Sequence, residues 1–454
     1  MSPLRTSLAA GAARAAGGMS RLAGRGGTSL PGKVLLRVDP HAIGRLGARL
    51  PQGSVVISAT NGKTTTAAMV AAILEGRGER LVHNRAGANM AGGIAATLLD
   101  GSGDRGLFEV DEFWLDGVVA DLRPRALLLG NLFRDQLDRY GELETIATRW
   151  EEIVSDGASQ RLVLNADDPT IADLGRERGD VLFFGVEDDT VALPALQHAS
   201  DATHCRRCGA PYVYDAHYLG HLGRYHCESC GARRPDPAVA AREIRLEGIG
   251  GASFTLDLGP AGGAHRIELA LPGLYNVYNA LAAAALASAI GASGEQIVAG
   301  LRAVRAAFGR AERVRIDGHD LAILLVKNPA GANEVLRTLA LEPGEHDVLG
   351  VLNDNVADGR DVSWVWDADF EVLGGRVRRA TCAGTRAAEL ALRLKYAGVP
   401  EDRIVVEEDL PRALDAAVAA APSQTALYAL PTYTAMLALR EELVARGVAE
   451  ESFA

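Results

Sequence analysis

Ser54-Val-Val-Ile-Ser-Ala-Thr-Asn-Gly-Lys-Thr-Thr-Thr66 is an apolar run that breaks at an Asn-Gly pair and passes through Lys63 into the apolar stretch Ala67–Leu74. Read as strand, tight turn and helix, it supplies what a phosphate loop needs. Backbone N–H groups and a helix N-terminus face an anion, a lysine reaches the β and γ phosphates, and a hydroxyl holds Mg²⁺. Lys63 and Thr64 stand in those last two places, and Thr60, Asn61, Gly62 and Thr65 complete the turn that would hold ATP. The generic eight-residue pattern calls for Gly at position 57, where this chain has Ile57. The order of strand, loop and helix therefore carries the reading.

Outward from the loop, short β-branched or apolar runs alternate with Ala/Leu-rich stretches, the pattern of a parallel sheet covered by helices. Strands are expected at Val55–Ser58, Leu107–Val110, Ala126–Leu129, Arg161–Leu164 and Val181–Phe184. The pattern breaks near Leu193; alternation at Ala252–Leu258 and His265–Leu269 then predicts a hairpin-like β segment. A helix over Val277–Ile290 is ended by Gly291. A second βα series follows, with strands near Leu321–Val326, Asp347–Leu352, Arg378–Cys382, Arg403–Val406 and Thr425–Leu430 and helices at Thr385–Tyr396 and Thr434–Arg446. At 454 residues the chain exceeds one hydrophobic core. The expectation is an α/β protein with a basic arm or helix over 1–40, a nucleotide-binding domain over 41–311 and a smaller Rossmann-like domain over 312–454.

Composition narrows the function. With 47 basic against 58 acidic residues the net charge is −11, which argues against a general nucleic-acid binder. No apolar run approaches the ~18 residues of a membrane span. Leu8–Ala16 is interrupted by Gly11 and Arg14, unlike the apolar core of a secretory signal. A cytoplasmic protein is expected, with its arginine-bearing N-terminus a candidate for contact with an anionic membrane surface.

Cys205-x2-Cys208, an 18-residue gap and Cys227-x2-Cys230 form a ribbon spacing within an insert over about 203–232, with Gly209 and Gly231 following each pair. Four thiolates so placed suit a closed, structural Zn²⁺ site, and a cytosolic setting disfavours two disulfides. Cys382 stands alone in an expected strand and reads as a core residue.

Further segments follow the loop in order. Glu109-Val-Asp-Glu112 places carboxylates at the carboxyl end of a strand. Asn131-Leu-Phe-Arg-Asp-Gln-Leu-Asp-Arg-Tyr-Gly141, Asn165-Ala-Asp-Asp168, Tyr275-Asn-Val-Tyr-Asn-Ala-Leu-Ala282 and Gly309-Arg-Ala-Glu312 come after it. Together with Ala59-Thr-Asn-Gly-Lys-Thr64 these resemble the Mur ligases, which usually have Gly at the place of Ala59 and His at that of Gln136. The resemblance implies a central ATP-binding domain with Glu109 and Thr64 as Mg²⁺ ligands. It also implies that Asn276 and Asn279 contact the nucleotide or cap their helix, and that Arg310 reaches a phosphate.

Where amino-acid-adding Mur ligases carry an Asp-Tyr-Ala-His-x-Pro-like segment, this chain has Leu324-Leu-Val-Lys-Asn-Pro-Ala-Gly331. Leu352-Asn-Asp-Asn-Val-Ala-Asp-Gly-Arg-Asp361 follows an expected strand as a polar loop. With the four cysteines, these segments resemble the MurT branch of the family. That branch implies amidation of the D-Glu α-carboxyl in the lipid II stem peptide through an acyl phosphate, with ammonia from a GatD-like glutaminase partner. It further implies that an aspartate of this loop orients the partner's catalytic histidine, with Asp361 the first choice and Asp354 and Asp358 behind it. No Cys-His pair for hydrolysing glutamine is apparent in the chain itself. The competing readings are an amino-acid-adding Mur or folylpolyglutamate-type ligase, and a nucleotide-regulated zinc-ribbon binding protein.

Overall fold

The computed structural model describes residues 29–85, 88–135, 143–156, 160–198, 200–304, 310–422 and 425–449. Gln136, the side chain of Arg310 and most of the expected basic arm lie outside the described residues. Two sheets organise the rest. The first contains β1 (Ser54–Ser58), β2 (Leu81–His83), β3 (Arg105–Glu109), β4 (Ala126–Leu129), β5 (Arg161–Asn165) and β6 (Val181–Val186). A separate hairpin, β7 (Val213–Leu219) and β8 (Leu222–His226), precedes its last strands, β9 (Val239–Leu246), β10 (Ala252–Asp257) and β11 (Ala264–Leu269). Their order is β11-β10-β9-β6-β5-β4-β1-β3-β2. Neighbours from β9 to β2 are parallel, and β10 and β11 extend the edge as the expected antiparallel hairpin.

Every residue of β1 and β3 is buried, as expected for strands covered on both faces. Val55 and Ile57 point to a core beneath the helices Lys63–Gly76, Leu274–Ala289 and Gly294–Ala303. Val56 between them joins the opposite core, under Leu30–Val38 and Ala91–Asp100. Part of the expected arm is thus a helix seated in the domain. Leu35 is fully buried, and a Cβ on Gly32 would lie 1.7 Å from the Gly92 carbonyl oxygen, so only glycine permits this helix contact.

The second sheet holds β12 (Arg310–Ile316), β13 (His319–Leu324), β14 (His346–Val351), β15 (Val377–Ala383), β16 (Ile404–Val406) and β17 (Ala426–Pro431), in the order β12-β13-β17-β14-β15-β16. Only the β12–β13 pair is antiparallel. β12 spans the boundary expected at 311 and pairs within this second sheet. β2, β7, β8, β9 and β12 were not expected from the sequence. β9 reads Val-Ala-Ala-Arg-Glu-Ile-Arg-Leu, good helix-forming residues that β6 and β10 hold extended by hydrogen bonds on both sides. No helix among the described residues is long and apolar enough to cross a membrane.

Candidate active site between the two sheets

β1 lies between β4 and β3, the topological switch of its sheet, and the loop at its carboxyl end enters the helix Lys63–Gly76. Gly62 turns the chain at φ 87°, and a Cβ there would meet Asn279 Oδ1 at 2.0 Å. Asn279 in turn accepts from Thr66 Oγ1 at 3.3 Å and donates to Asn276 Oδ1 at 3.0 Å. Asn276 Nδ2 donates to the Pro272 carbonyl at 2.7 Å. The two asparagines of the sequence reading therefore stand against the loop, anchored at the start of the helix Leu274–Ala289. Asn131 closes the loop from the other side: it accepts from Asn61 N at 2.9 Å and donates to Asn61 O at 3.0 Å. Thr60 Oγ1 accepts from Phe133 N at 3.0 Å, so Thr60 is occupied in shaping the loop. Thr64 and Thr65 lie in the helix's first turn, Thr65 buried.

Lys63 Nζ donates to the Ala59 carbonyl and to Glu112 Oε2, the latter at 2.8 Å. Burial works to lower its pKa, but Glu112, with Asp111 and Asp135, outweighs that and raises it. Burial likewise works to raise the Glu112 carboxyl, and Lys63 with Lys327 holds it below the usual range. Glu109, the last residue of β3, is buried beside Ile57, its backbone fastened by both amide atoms of Asn84 at 2.8 and 3.0 Å. Glu109 ends β3, and Asp111 and Glu112 follow it at the carboxyl end of the strand, oxygen donors of the type that Mg²⁺ takes.

The second domain touches the loop directly. Lys327 Nζ donates to the Thr60 carbonyl at 3.2 Å and to Asp135 Oδ2. Asn328 Nδ2 donates to Asn61 Oδ1 at 3.0 Å and Asn61 Nδ2 returns a bond to Asn328 Oδ1 at 3.3 Å. Asn328 also caps the helix Pro329–Ala340 through Gly331 N. A pocket opens beside this junction, with Asn61, Gly62, Asn131 and Asn279 at its polar end and Phe133, Leu219, Tyr275 and Val335 on its apolar walls. Glu112, Asp135 and Lys327 were not singled out from the sequence. Their partners lie 49 to 267 positions away, so no local pattern announces the pairing.

The three loop aspartates separate. Asp354 accepts from Thr385 Oγ1 and Arg386 Nε, both at 2.8 Å. Asp358 is buried and accepts from the backbone N of Thr434 at 2.7 Å and from its hydroxyl, capping the helix Tyr433–Ala445. Asp361 is exposed, and its carboxyl is held below the usual range by hydrogen bonds from Ser363. Asp358 and Asp361 line one cleft with Lys327, Asn328 and Asp135.

In the insert, the four Sγ atoms lie within 4.8 Å of one another, with Cys205–Cys230 at 3.6 Å and Cys208–Cys227 at 3.5 Å. Tetrahedral thiolates about 2.3 Å from a zinc ion would stand roughly 3.8 Å apart, so the set fits that metal. Each half repeats one turn. Cys205 N donates to Ala210 O and Gly209 N to Cys205 O, while Cys227 N donates to Ala232 O and Gly231 N to Cys227 O. Gly209 and Gly231 carry φ of 74° and 73°. The knuckles rest on the helix Pro169–Leu174, where Arg207 Nε donates to Asp173 at 2.8 Å. Behind them Arg234 pairs with Asp167 at 2.6 Å, and Tyr278 donates to Asp167 at 2.6 Å. His221, near the cysteines in sequence, is instead fully buried against Phe133 and Asp168. Cys382 is buried in β15 and its thiol is pushed up to about 12 by burial.

The Mur ligase middle domain matches residues 57–221 and the MurT ligase C-terminal domain matches residues 325–436. The MurT subunit of lipid II isoglutaminyl synthase (glutamine-hydrolyzing) from Streptococcus pneumoniae is 33% identical over 441 residues, covering 95% of each chain. Its counterpart from Staphylococcus aureus is 32% identical over 433 residues, covering 93% of this chain and 94% of that one. Among solved structures, a pseudomurein peptide ligase type C from Methanothermus fervidus superposes with a TM-score of 0.68 at 22% identity, covering 88% of this chain and 80% of that one.

Proposed function

The chain belongs to the family of MurT subunits of lipid II isoglutaminyl synthase, within the Mur ligases, and from that premise we propose that it amidates the α-carboxyl of D-Glu in the lipid II stem peptide. A γ-phosphoryl group passes from ATP to that carboxylate, releasing ADP and leaving an acyl phosphate. Ammonia then attacks the acyl carbon, phosphate departs, and D-isoglutamine remains. A GatD-like glutaminase supplies the ammonia from glutamine.

One observation carries the reading. A lysine-bearing phosphate loop meets Lys327 and Asn328 of the second domain at the same junction that opens toward exposed Asp361. Lys63, freed from Glu112 by a bound nucleotide, is suited to clamp the transferring phosphoryl group, and Arg310 is the family's second cation for it. Thr64 and Glu109 would hold Mg²⁺, which would neutralise the charge developing on the phosphates. Asn276 and Asn279 fix the loop's shape behind the nucleotide. Asp361 would orient the partner's histidine across the interface. Zinc would be structural, since four cysteines leave no open position.

Mass spectrometry of lipid II incubated with ATP, Mg²⁺ and ammonium, then with glutamine in place of ammonium, tests this. Exchange of carboxyl for amide with ammonium alone, and with glutamine only when the partner is present, is the expected result. Addition of a whole amino-acid residue would favour a conventional ligase, and no change under any condition would favour a nucleotide-regulated binding protein.

A further inference from the structure

Independently of the reaction, we propose that the cavity between the four-cysteine insert and the helix Pro169–Leu174 is a second ligand site, one that binds a phosphate group. The cavity has a volume of about 340 Å³, the scale of a site for a small organic ligand, and shares no described lining residue with the pocket at the phosphate loop. Its lining brings Arg176, Arg178, Arg207 and Arg233 together with one carboxylate, Asp173. The first two arginines follow the helix, the third sits inside the first cysteine pair and the fourth follows the second pair. Packing of the insert on the helix is therefore what assembles them.

The four guanidiniums are not equivalent. Arg178 is spent on structure, donating to Asp180 at 2.7 and 2.9 Å and to the carbonyls of Val154 and Gln160. Arg176 lies 3.3 Å from Asp173, with the exposed Glu151 and Glu177 3.9 and 3.8 Å away. Arg207 gives Asp173 its Nε at 2.8 Å, and its two terminal nitrogens make no hydrogen bond among the described residues. Arg233 is exposed, and its side chain has neither hydrogen bond nor ion pair among the described residues. On the same lining, Tyr225 is only 4% exposed, its ring held by Tyr212 and Tyr214 with centroids 5.0 and 6.0 Å away. Its hydroxyl finds no hydrogen-bond partner among the described residues, a cost that a bound acceptor removes. Asp173, meanwhile, is already shared by Arg176, Arg206 and Arg207. The groups left over are donors from three residues, Arg207, Arg233 and Tyr225, and they suit the three oxygens of a phosphate group.

That phosphate belongs to a soluble ester or to a lipid headgroup, and the test has an arm for each. The full chain, its nucleotide pocket saturated with Mg²⁺ and ADP, is titrated calorimetrically with inorganic pyrophosphate. It is also sedimented with phosphatidylcholine vesicles that contain or lack phosphatidic acid. Binding should weaken about tenfold in Arg233→Ala and several-fold in Tyr225→Phe, which keeps the ring packing. Both variants should amidate with ammonium at the parent rate, so a failure of the site and a failure of the proposed reaction read differently. Pyrophosphate binding without sedimentation supports a soluble ester as the ligand. Sedimentation that needs phosphatidic acid and is lost in Arg233→Ala supports a lipid headgroup. No binding of either probe, or binding that both variants leave unchanged, would overturn the site.

Discussion

Two aspartates three positions apart in one loop do different work, and only their surroundings tell them apart. Asp358 is a buried helix cap; Asp361 is an exposed carboxylate on a serine-pinned turn. Asp358→Ala should lower the melting temperature of the second domain, since removing a capping side chain costs about 1 kcal/mol. Asp361→Asn should leave the melting temperature unchanged and abolish glutamine-driven amidation while the ammonium-driven reaction continues. Scanning calorimetry beside the two assays separates the cases, and an unchanged glutamine-driven rate in Asp361→Asn would remove its assigned role. The sequence reading ranked Asp361 above its neighbours, but it could not see the cap, because Thr434 lies 76 positions away. For the same reason Lys327 read as part of a segment that resembles the MurT branch, with no role of its own, although Lys63 was legible from the turn that contains it.

Among the elements, the strands of the parallel sheets were the most legible. Both their faces are covered, so they show as unbroken apolar runs such as Ala126–Leu129. β2 and the insert strands were hidden, since β2 has three residues and β7 sets exposed Val213 and Asp215 beside buried Ala216 and Tyr218 without clean alternation. The cysteine spacing, by contrast, gave the insert's centre directly, because metal knuckles demand it locally. The insert matters beyond its own stability: Arg234 and Tyr278 meet on Asp167, so the ribbon is tied to the helix that carries Asn276 and Asn279. Metal analysis should find one zinc ion per chain, and prolonged chelation should lower both thermal stability and the affinity for ATP. A zinc-free chain with unaltered nucleotide affinity would show that the insert is independent of the loop.

Across the whole molecule, the helix Pro329–Ala340 adds contacts between the two domains to those made by Lys327 and Asn328. Arg337 of Pro329–Ala340 donates to the carbonyls of Tyr218 at 2.8 Å and Val191 at 2.5 Å. It also lies 3.7 Å from Glu334, whose carboxyl is buried, raised by desolvation, and faces the first N–H groups of Leu274–Ala289. Arg337→Ala should destabilise the contact between the domains by about 3 kcal/mol, because it removes the cation beside a buried carboxylate. Glu334→Gln in the same chain should recover part of that loss, and chemical denaturation of the double-mutant cycle measures the coupling. Additive effects would place the two residues in separate roles. None of this interface was legible from sequence, since each bond joins segments more than a hundred positions apart or depends on what burial does to a carboxylate.

The reciprocal Asn61–Asn328 bonds carry no formal charge, whereas their neighbour Lys327–Asp135 is an ion pair. Dissolved salt screens the second far more than the first. Because that ion pair is itself largely buried, rising ionic strength should weaken it only in part and leave the amide pair untouched, so that Asn61 and Asn328 stay the fixed pin between the smaller domain and the phosphate loop.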